Sequence, residues 1–238
     1  MRRFALGCVI ALVAAGSAAA DPFLVRFDTL GLGSFTVELH DNTPLHRDNF
    51  LAYVTAGLYD STIIHRSDDS NHVIQGGAVA VASDPDYLLE YVPTFPNVLY
   101  EGDLGDSNVM MTLGAARSTD PDSANSQWYL NMGDNSGGFD HQPGVPGYTV
   151  FGHVVEGWDT AVAIYGLTVW DASMYFSTDG VTPNNTFLDL PLMDSFDNTG
   201  PIEKPDFVTV SGTTIVPEPA TLALLATGAL ALLRRRNR

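Results

Sequence analysis

The chain has 238 residues, 45% of them hydrophobic and 10% aromatic, enough to bury one core and too apolar for a disordered polymer. Its formal net charge of -17 is unevenly spread: Arg2, Arg3, Arg234, Arg235, Arg236 and Arg238 stand at the ends, leaving Arg26, Arg47, Arg66, Arg117 and Lys204 against 28 carboxylates between Asp21 and Glu218. Such a surface repels phosphate backbones and argues against a nucleic-acid partner, while 22 glycines and 14 prolines point to many turns and a mainly β protein.

In chain order, residues 1–20 read as a secretory signal. Arg2 and Arg3 give a basic start, Phe4 to Ala15 an apolar run, and Ala18-Ala19-Ala20 small residues for cleavage before Asp21. The run falls short of the roughly 20 residues that span a bilayer. Cys8, the single cysteine, lies within it, so the chain from Asp21 onward has neither thiol nor disulfide. Phe23 to Phe27 and Ser34 to Leu39 are strand-like and separated by Gly31 and Gly33, which predicts a hairpin. A helix should follow, with Thr43 as its cap, Pro44 in the first turn, apolar residues at Phe50, Leu51, Tyr53 and Val54, and Gly57 past its end.

Thr62 to His65, Val109 to Leu113, Trp128 to Met132 and Tyr148 to Val155 predict further strands, and Trp158 to Tyr165 a second short helix. Phe207 to Val210 reads as a last strand, returning to close the sheet. Short strands with two helices predict an antiparallel barrel with helix-covered ends and no free sheet edge. No repeat or linker divides residues 21–216, which are expected to form one domain. Within it, residues 168–206 are rich in Asp, Asn, Thr and Pro and too long to assign from pattern.

The chain ends with Val216-Pro217-Glu218-Pro219, then 14 small or apolar residues from Ala220 to Leu233, then Arg-Arg-Arg-Asn-Arg. Prolines stop the preceding structure, the apolar stretch predicts a membrane-entering helix, and the arginines resist translocation. This ending, residues 217–238, resembles the PEP-CTERM sorting signals of Gram-negative bacteria. The resemblance implies recognition at Pro217, Glu218 and Pro219 by an exosortase-type protease. It further implies export across the inner membrane to the cell surface, the extracellular matrix or the periplasmic face, with membrane association through the tail before processing.

The six histidines do not pair at zinc-ligand spacing, and Asp120-Pro121-Asp122-Ser123 lacks the regular ligands of a calcium loop and reads as a turn. No nucleophile elbow surrounds Ser126. The sequence therefore calls for neither metal nor cofactor. Arg66 stands out as one of five basic residues away from the termini, following Ile63-Ile64-His65 at the end of a predicted strand. Composition alone would pair it with one of the abundant carboxylates.

Its neighbours change that reading. Ile64-His65-Arg66, Gln75-Gly76-Gly77, Asp122 to Tyr129 (DSANSQWY) and Gly147 to Gly152 (GYTVFG) occur in the order found in cyclophilins, Pro44 to Tyr59 resembles that family's first helix, and Val154 to Asp159 resembles the approach to its second. The resemblance covers about residues 33–165. It implies a closed eight-stranded antiparallel barrel capped by two helices, and catalysis of rotation about X-Pro bonds in proline-containing peptides or proteins. By the same resemblance, Arg66 is the catalytic arginine, Gln75 holds backbone and the guanidinium, and Ala116 and the Arg117 main chain lie along the peptide groove. Gln127 adds a polar contact, and Val73, Tyr129 and Phe139 line the proline pocket. Tyr148 falls where family members carry His or Tyr.

Several residues depart from the family pattern. Eight residues separate Arg66 from Gln75, one more than usual, and Ser67-Asp68-Asp69-Ser70-Asn71 replaces an apolar turn. His72 and Val73 stand at pocket positions where Phe and Met are usual, which predicts a shallower pocket. Asp68 and Asp69 are placed to compete for the Arg66 guanidinium and hold it away from substrate. Gly138 falls where a Trp or Phe helps bind cyclosporin, so weak cyclosporin affinity is expected. These features also support an alternative activity, a cyclophilin-like module that binds proline peptides or matrix components with little turnover.

Overall fold

A computed structural model describes residues 23–178 and 180–217. The signal at residues 1–20 and, within the sorting tail, Glu218, Pro219 and the apolar helix lie outside them.

The predicted hairpin is β1 (Phe23–Thr29) and β2 (Gly33–Leu39), in antiparallel register with Phe27 opposite Phe35. Their alternation puts Val25, Phe27, Phe35, Val37 and Leu39 inside. The first helix, α1 (Pro44–Thr55), buries His46, Phe50, Tyr53 and Val54. Its cap differs from expectation. The Thr43 hydroxyl donates to Val150 O at 3.4 Å, while Glu101 accepts from the Leu45 and His46 N–H groups at 3.1 and 3.0 Å. A carboxylate remote in sequence thus satisfies the helix start and suits its dipole.

The remaining elements are β3 (Thr62–Asp68), β4 (Val73–Val81), β5 (Leu89–Tyr91), β6 (Thr112–Ala115), β7 (Trp128–Asn131), a one-turn α2 (Ser136–Phe139), β8 (Val150–Glu156), α3 (Trp158–Tyr165), β9 (Val169–Trp170), β10 (Leu190–Pro191) and β11 (Val210–Val216). The predicted strand at Val109 to Leu113 starts later, because Val109 and Met110 are exposed and Met111 sits at φ 75°. β4 was not expected. Its two glycines conceal the strand pattern, and they are required there: a Cβ on Gly76 would lie 2.7 Å from Trp128 Cζ2, and one on Gly77 2.3 Å from Ser126 O.

The main sheet is antiparallel, in the order β11-β1-β2-β8-β6-β7-β4-β3, with β5 also on β4. It corrects the expected closed eight-stranded barrel: nine strands form an open, strongly curled half-barrel. β11 pairs along its length with β1, from Leu24↔Val216 to Thr29↔Val210, and its other edge carries no ladder to β3, so β11 and β3 stand at the two ends of the sheet order. The expected last strand at Phe207 to Val210 instead meets β3 through one bridge, Ile63 to Thr209, with Ser61 N and Ile64 N donating to Val210 O and Val208 O at 2.8 and 2.9 Å.

Inside the curl, Phe27 stacks on Phe35 at 4.8 Å and meets Trp128 edge-on at 5.1 Å, and Phe50 packs on Phe151 at 5.3 Å. Outside it, β9 and β10 pair with each other and join a second apolar cluster, in which Phe187, Leu190, Leu192 and Phe207 cover Ile63 and Val79 of β3 and β4. The segment left unassigned from sequence is therefore anchored directly behind the strand that carries Arg66. Among the described residues no helix is long and apolar enough to cross a membrane.

Candidate active site

Arg66 leaves β3 beside a hollow of about 200 Å³ lined by Arg66, Asn71, Val73, Gln75, Ala116, Arg117, Tyr129, Phe139 and Tyr148. β3 and β4 are paired here, with Arg66 opposite Gln75, and β7 brings Tyr129 opposite Gln75 on the other side. The eight residues Arg66, Val73, Gln75, Ala116, Arg117, Tyr129, Phe139 and Tyr148, expected from sequence, thus come together around one cavity. Asn71 is an addition from the unusual loop.

The apolar wall is a cluster of three rings. Tyr129 meets Phe139 and Tyr148 edge-on at 5.8 and 6.0 Å, and Phe139 and Tyr148 lie 4.9 Å apart. α2 presents Phe139, and Tyr148 N donates to Phe139 O at 2.7 Å, tying the two loops. The Tyr129 hydroxyl donates to buried Asn108 Oδ1 at 2.6 Å. Burial, with Tyr148 and Asp140 nearby, raises the Tyr129 pKa well above the usual value, so its hydroxyl stays protonated. Asn108 also donates to Asp140 Oδ1 and Tyr148 O at 3.0 and 3.2 Å, which makes it the hub of the wall.

The Arg117 side chain is occupied by the loop before Tyr148. Its guanidinium donates to Pro146 O and Gly147 O at 2.7 and 2.9 Å and lies 4.5 Å from the Tyr148 ring centre. The Ala116 N–H donates to Gln127 O at 3.0 Å.

Two expected site residues lie elsewhere. His72 is exposed and outside the cavity lining: it stands at φ 47°, and its Nδ1 lies 3.3 Å from the Tyr165 hydroxyl. Gln127 stands behind the wall, accepting from Gln75 Nε2 at 2.8 Å. Gln75 is therefore directed to Gln127, not to the guanidinium as the resemblance implied.

Two carboxylates hold Arg66. Nη2 is 2.5 Å from Asp68 Oδ2 and Nε 3.3 Å from Asp189 Oδ2, with the Arg66 side chain 38% exposed. Asp68 pairs with the guanidinium, whereas Asp69 interacts with Tyr165. Asp189 was not foreseen. Burial pushes the Asp68 carboxyl up, but the Asn71 side chain and N–H, Arg66 and the Ser70 N–H outweigh it and leave it below the usual range. Beside Arg66, buried His65 has its pKa lowered to about 4, by burial first and then by the guanidinium charge, so it is neutral at pH 7. A guanidinium has five N–H donors, of which these ion pairs claim two. Three remain for a ligand in the hollow.

Among the described residues no group of three or more His, Cys, Asp or Glu side chains could hold a metal. Asp120 serves as a turn cap, accepting from Asp122 N at 3.0 Å.

Comparison with known proteins identifies the family and the fold. Residues 24–178 match the family described as cyclophilin type peptidyl-prolyl cis-trans isomerase/CLD, and residues 216–237 match the PEP-CTERM protein-sorting motif. A peptidyl-prolyl cis-trans isomerase of Streptomyces antibioticus is 40% identical over 139 residues, covering 57% of this chain and 79% of that protein. Peptidyl-prolyl cis-trans isomerase B of Escherichia coli (strain K12) is 32% identical over 139 residues, with the same coverages of 57% and 79%. A crystal structure of a Cryptosporidium parvum cyclophilin type peptidyl-prolyl cis-trans isomerase superposes with a TM-score of 0.53 at 19% identity, over 84% of this chain and 100% of that one, which shows a shared fold.

Proposed function

We propose that this chain, which belongs to the cyclophilin-type peptidyl-prolyl cis-trans isomerases, rotates X-Pro bonds of exported or surface proteins, with Arg66 steadying the twisted amide. The amide resists rotation because the nitrogen lone pair is delocalised into the carbonyl, a barrier of about 18–20 kcal/mol. Uncatalysed X-Pro exchange takes on the order of tens to hundreds of seconds. In the twisted state that delocalisation is lost and the nitrogen becomes pyramidal and able to accept a hydrogen bond. A donor placed to meet it favours the transition state over either ground state, with no nucleophile and no cofactor.

The observation that carries this reading is the permanently charged Arg66 at the lip of a hollow walled by Val73, Tyr129, Phe139 and Tyr148. The rings offer an apolar seat for the proline, while Gln75, Ala116 and the Arg117 main chain border the path of the flanking peptide. The PEP-CTERM match supports export and processing by an exosortase-type protease. Cell surface, extracellular matrix or periplasmic face, with membrane association through the tail before cleavage, completes the reading.

A second reading is a proline-peptide binding module of weak turnover, favoured by the ion pairs that Asp68 and Asp189 make with Arg66. Exchange spectroscopy on a short X-Pro peptide separates the two. Faster cis-trans exchange in the presence of the protein supports the enzyme, and peptide line-broadening or shifts with unchanged exchange support the module.

A further inference from the structure

The segment between α3 and β11 places a carboxylate on the arginine of the site. Leu190 and Leu192 are buried with Phe187 and Phe207 against Ile63 and Val79, which fixes the backbone on both sides of Asp189. Ser67 N donates to Asp189 O at 2.7 Å, an extra rung on the edge of β3 one residue beyond Arg66. From this anchored position the Asp189 side chain meets Arg66 Nε at 3.3 Å.

The second carboxylate is held by its side chain as well, whereas the Asp189 side chain is 38% exposed and is placed by its backbone. Asp68 accepts from Ser70 N at 2.8 Å, Asn71 N at 3.1 Å and Asn71 Nδ2 at 2.6 Å as well as from Arg66 Nη2, and its side chain is 7% exposed. Both ion pairs lie on the Nε and Nη2 groups. They leave Nη1 and one Nη2 hydrogen unclaimed, and Arg66 still lines the hollow. Gln75, whose amide could have oriented the guanidinium, is bound to Gln127.

We propose that Asp189 is a positioning residue for Arg66. The stretch from Phe187 to Leu192 is a built part of the active site, and its carboxylate, acting with Asp68, holds the guanidinium so that its free N–H groups face the proline amide. The long side chain is thereby ordered before substrate arrives, and the need for Gln75 as its partner is removed. The inference rests on the isomerase reading and adds to it a residue more than a hundred positions from Arg66 in sequence.

The test compares full-length protein with Asp189→Asn and Asp189→Glu on an X-Pro peptide. Asp189→Asn should lower kcat on the order of tenfold with KM unchanged to within about twofold, and Asp189→Glu should restore part of it. Unchanged or increased kcat in Asp189→Asn would overturn the inference, an increase marking the carboxylate as a restraint. A measurement on the unsubstituted protein stands apart from any folding defect of the variants: the Arg66 Nε–H should exchange slowly with solvent, and rapid exchange would also overturn the proposal. Arg66→Ala with undiminished rate would sink the isomerase reading itself. An inactive Arg66→Ala beside a fully active Asp189→Asn would sink this inference alone.

Discussion

Gln75 Nε2 donates to Gln127 Oε1 at 2.8 Å, which turns the glutamine that borders the hollow toward β7 and away from Arg66. Its role is then to bind peptide at the cavity wall and not to orient the guanidinium. Gln75→Ala should raise KM by about two- to tenfold, the worth of one hydrogen bond, with kcat held within about twofold. Steady-state isomerisation kinetics distinguish this from a fall in kcat at constant KM, which would return Gln75 to the arginine.

Asn108 carries the aromatic wall. It is fully buried, accepts from the Tyr129 hydroxyl and Asn131 Nδ2, and donates to Asp140 and Tyr148 O. Asn108→Ala leaves several of these groups unpaired in the interior and should cost about 3 kcal/mol of stability. It should lower kcat/KM as well, because Tyr129 and Tyr148 lose their anchor. Denaturant unfolding beside peptide kinetics checks both, and a variant as stable as the parent would contradict the assignment.

Stability should fall as the solution is acidified from neutrality. His65 titrates at about 4 in the folded chain against an ordinary value of 6.5, and His46 is also lowered by burial despite its contact with Glu101. The unfolded chain therefore binds more protons across this interval, so the contribution of His65 is complete above pH 6.5 and lost progressively toward pH 4. At about 1.4 kcal/mol per pH unit, the loss from His65 alone reaches roughly 3 kcal/mol. Urea melts between pH 7 and pH 4 should show this slope, and His65→Gln should flatten it; an unaltered slope in that variant would reject the attribution.

Cyclosporin should bind weakly. A Cβ built on Gly138 meets nothing within 4 Å, so this position supplies no wall to the ligand. Gly138→Trp should tighten binding in a calorimetric titration, whereas tight, stoichiometric binding by the unsubstituted protein would contradict the reading.

The sequence revealed elements whose side chains alternate or cap in a regular way: the β1–β2 hairpin, α1, β7, β8 and α3 all lie close to where the pattern placed them. β4 escaped because Gly76 and Gly77 interrupt its apolar pattern, and the need for those glycines arises from Trp128 and Ser126, far along the chain. The strand-like composition of Phe207 to Val210 suggests barrel closure, yet Phe207 packs in the outer cluster and one bridge joins the segment to β3.

At the site, the residues that line the hollow, Asn71 apart, were legible through the order of their motifs along the chain. His72 was not, since its placement depends on a left-handed backbone conformation, φ 47°, that its residue type does not signal. Asp189 gave no local signal at all. It is one of 28 acids, and only the burial of Leu190 and Leu192 beside it singles it out.

Arg66 is the group on which the functional account turns, and its removal is the most direct test. Arg66→Ala deletes the donor while leaving Val73, Tyr129, Phe139 and Tyr148 in place. The account predicts that kcat/KM on an X-Pro peptide falls by about a hundredfold or more, the scale of losing one preorganised donor at a transition state, with peptide binding retained. An Arg66→Ala variant that isomerises the peptide at the parental rate would contradict it.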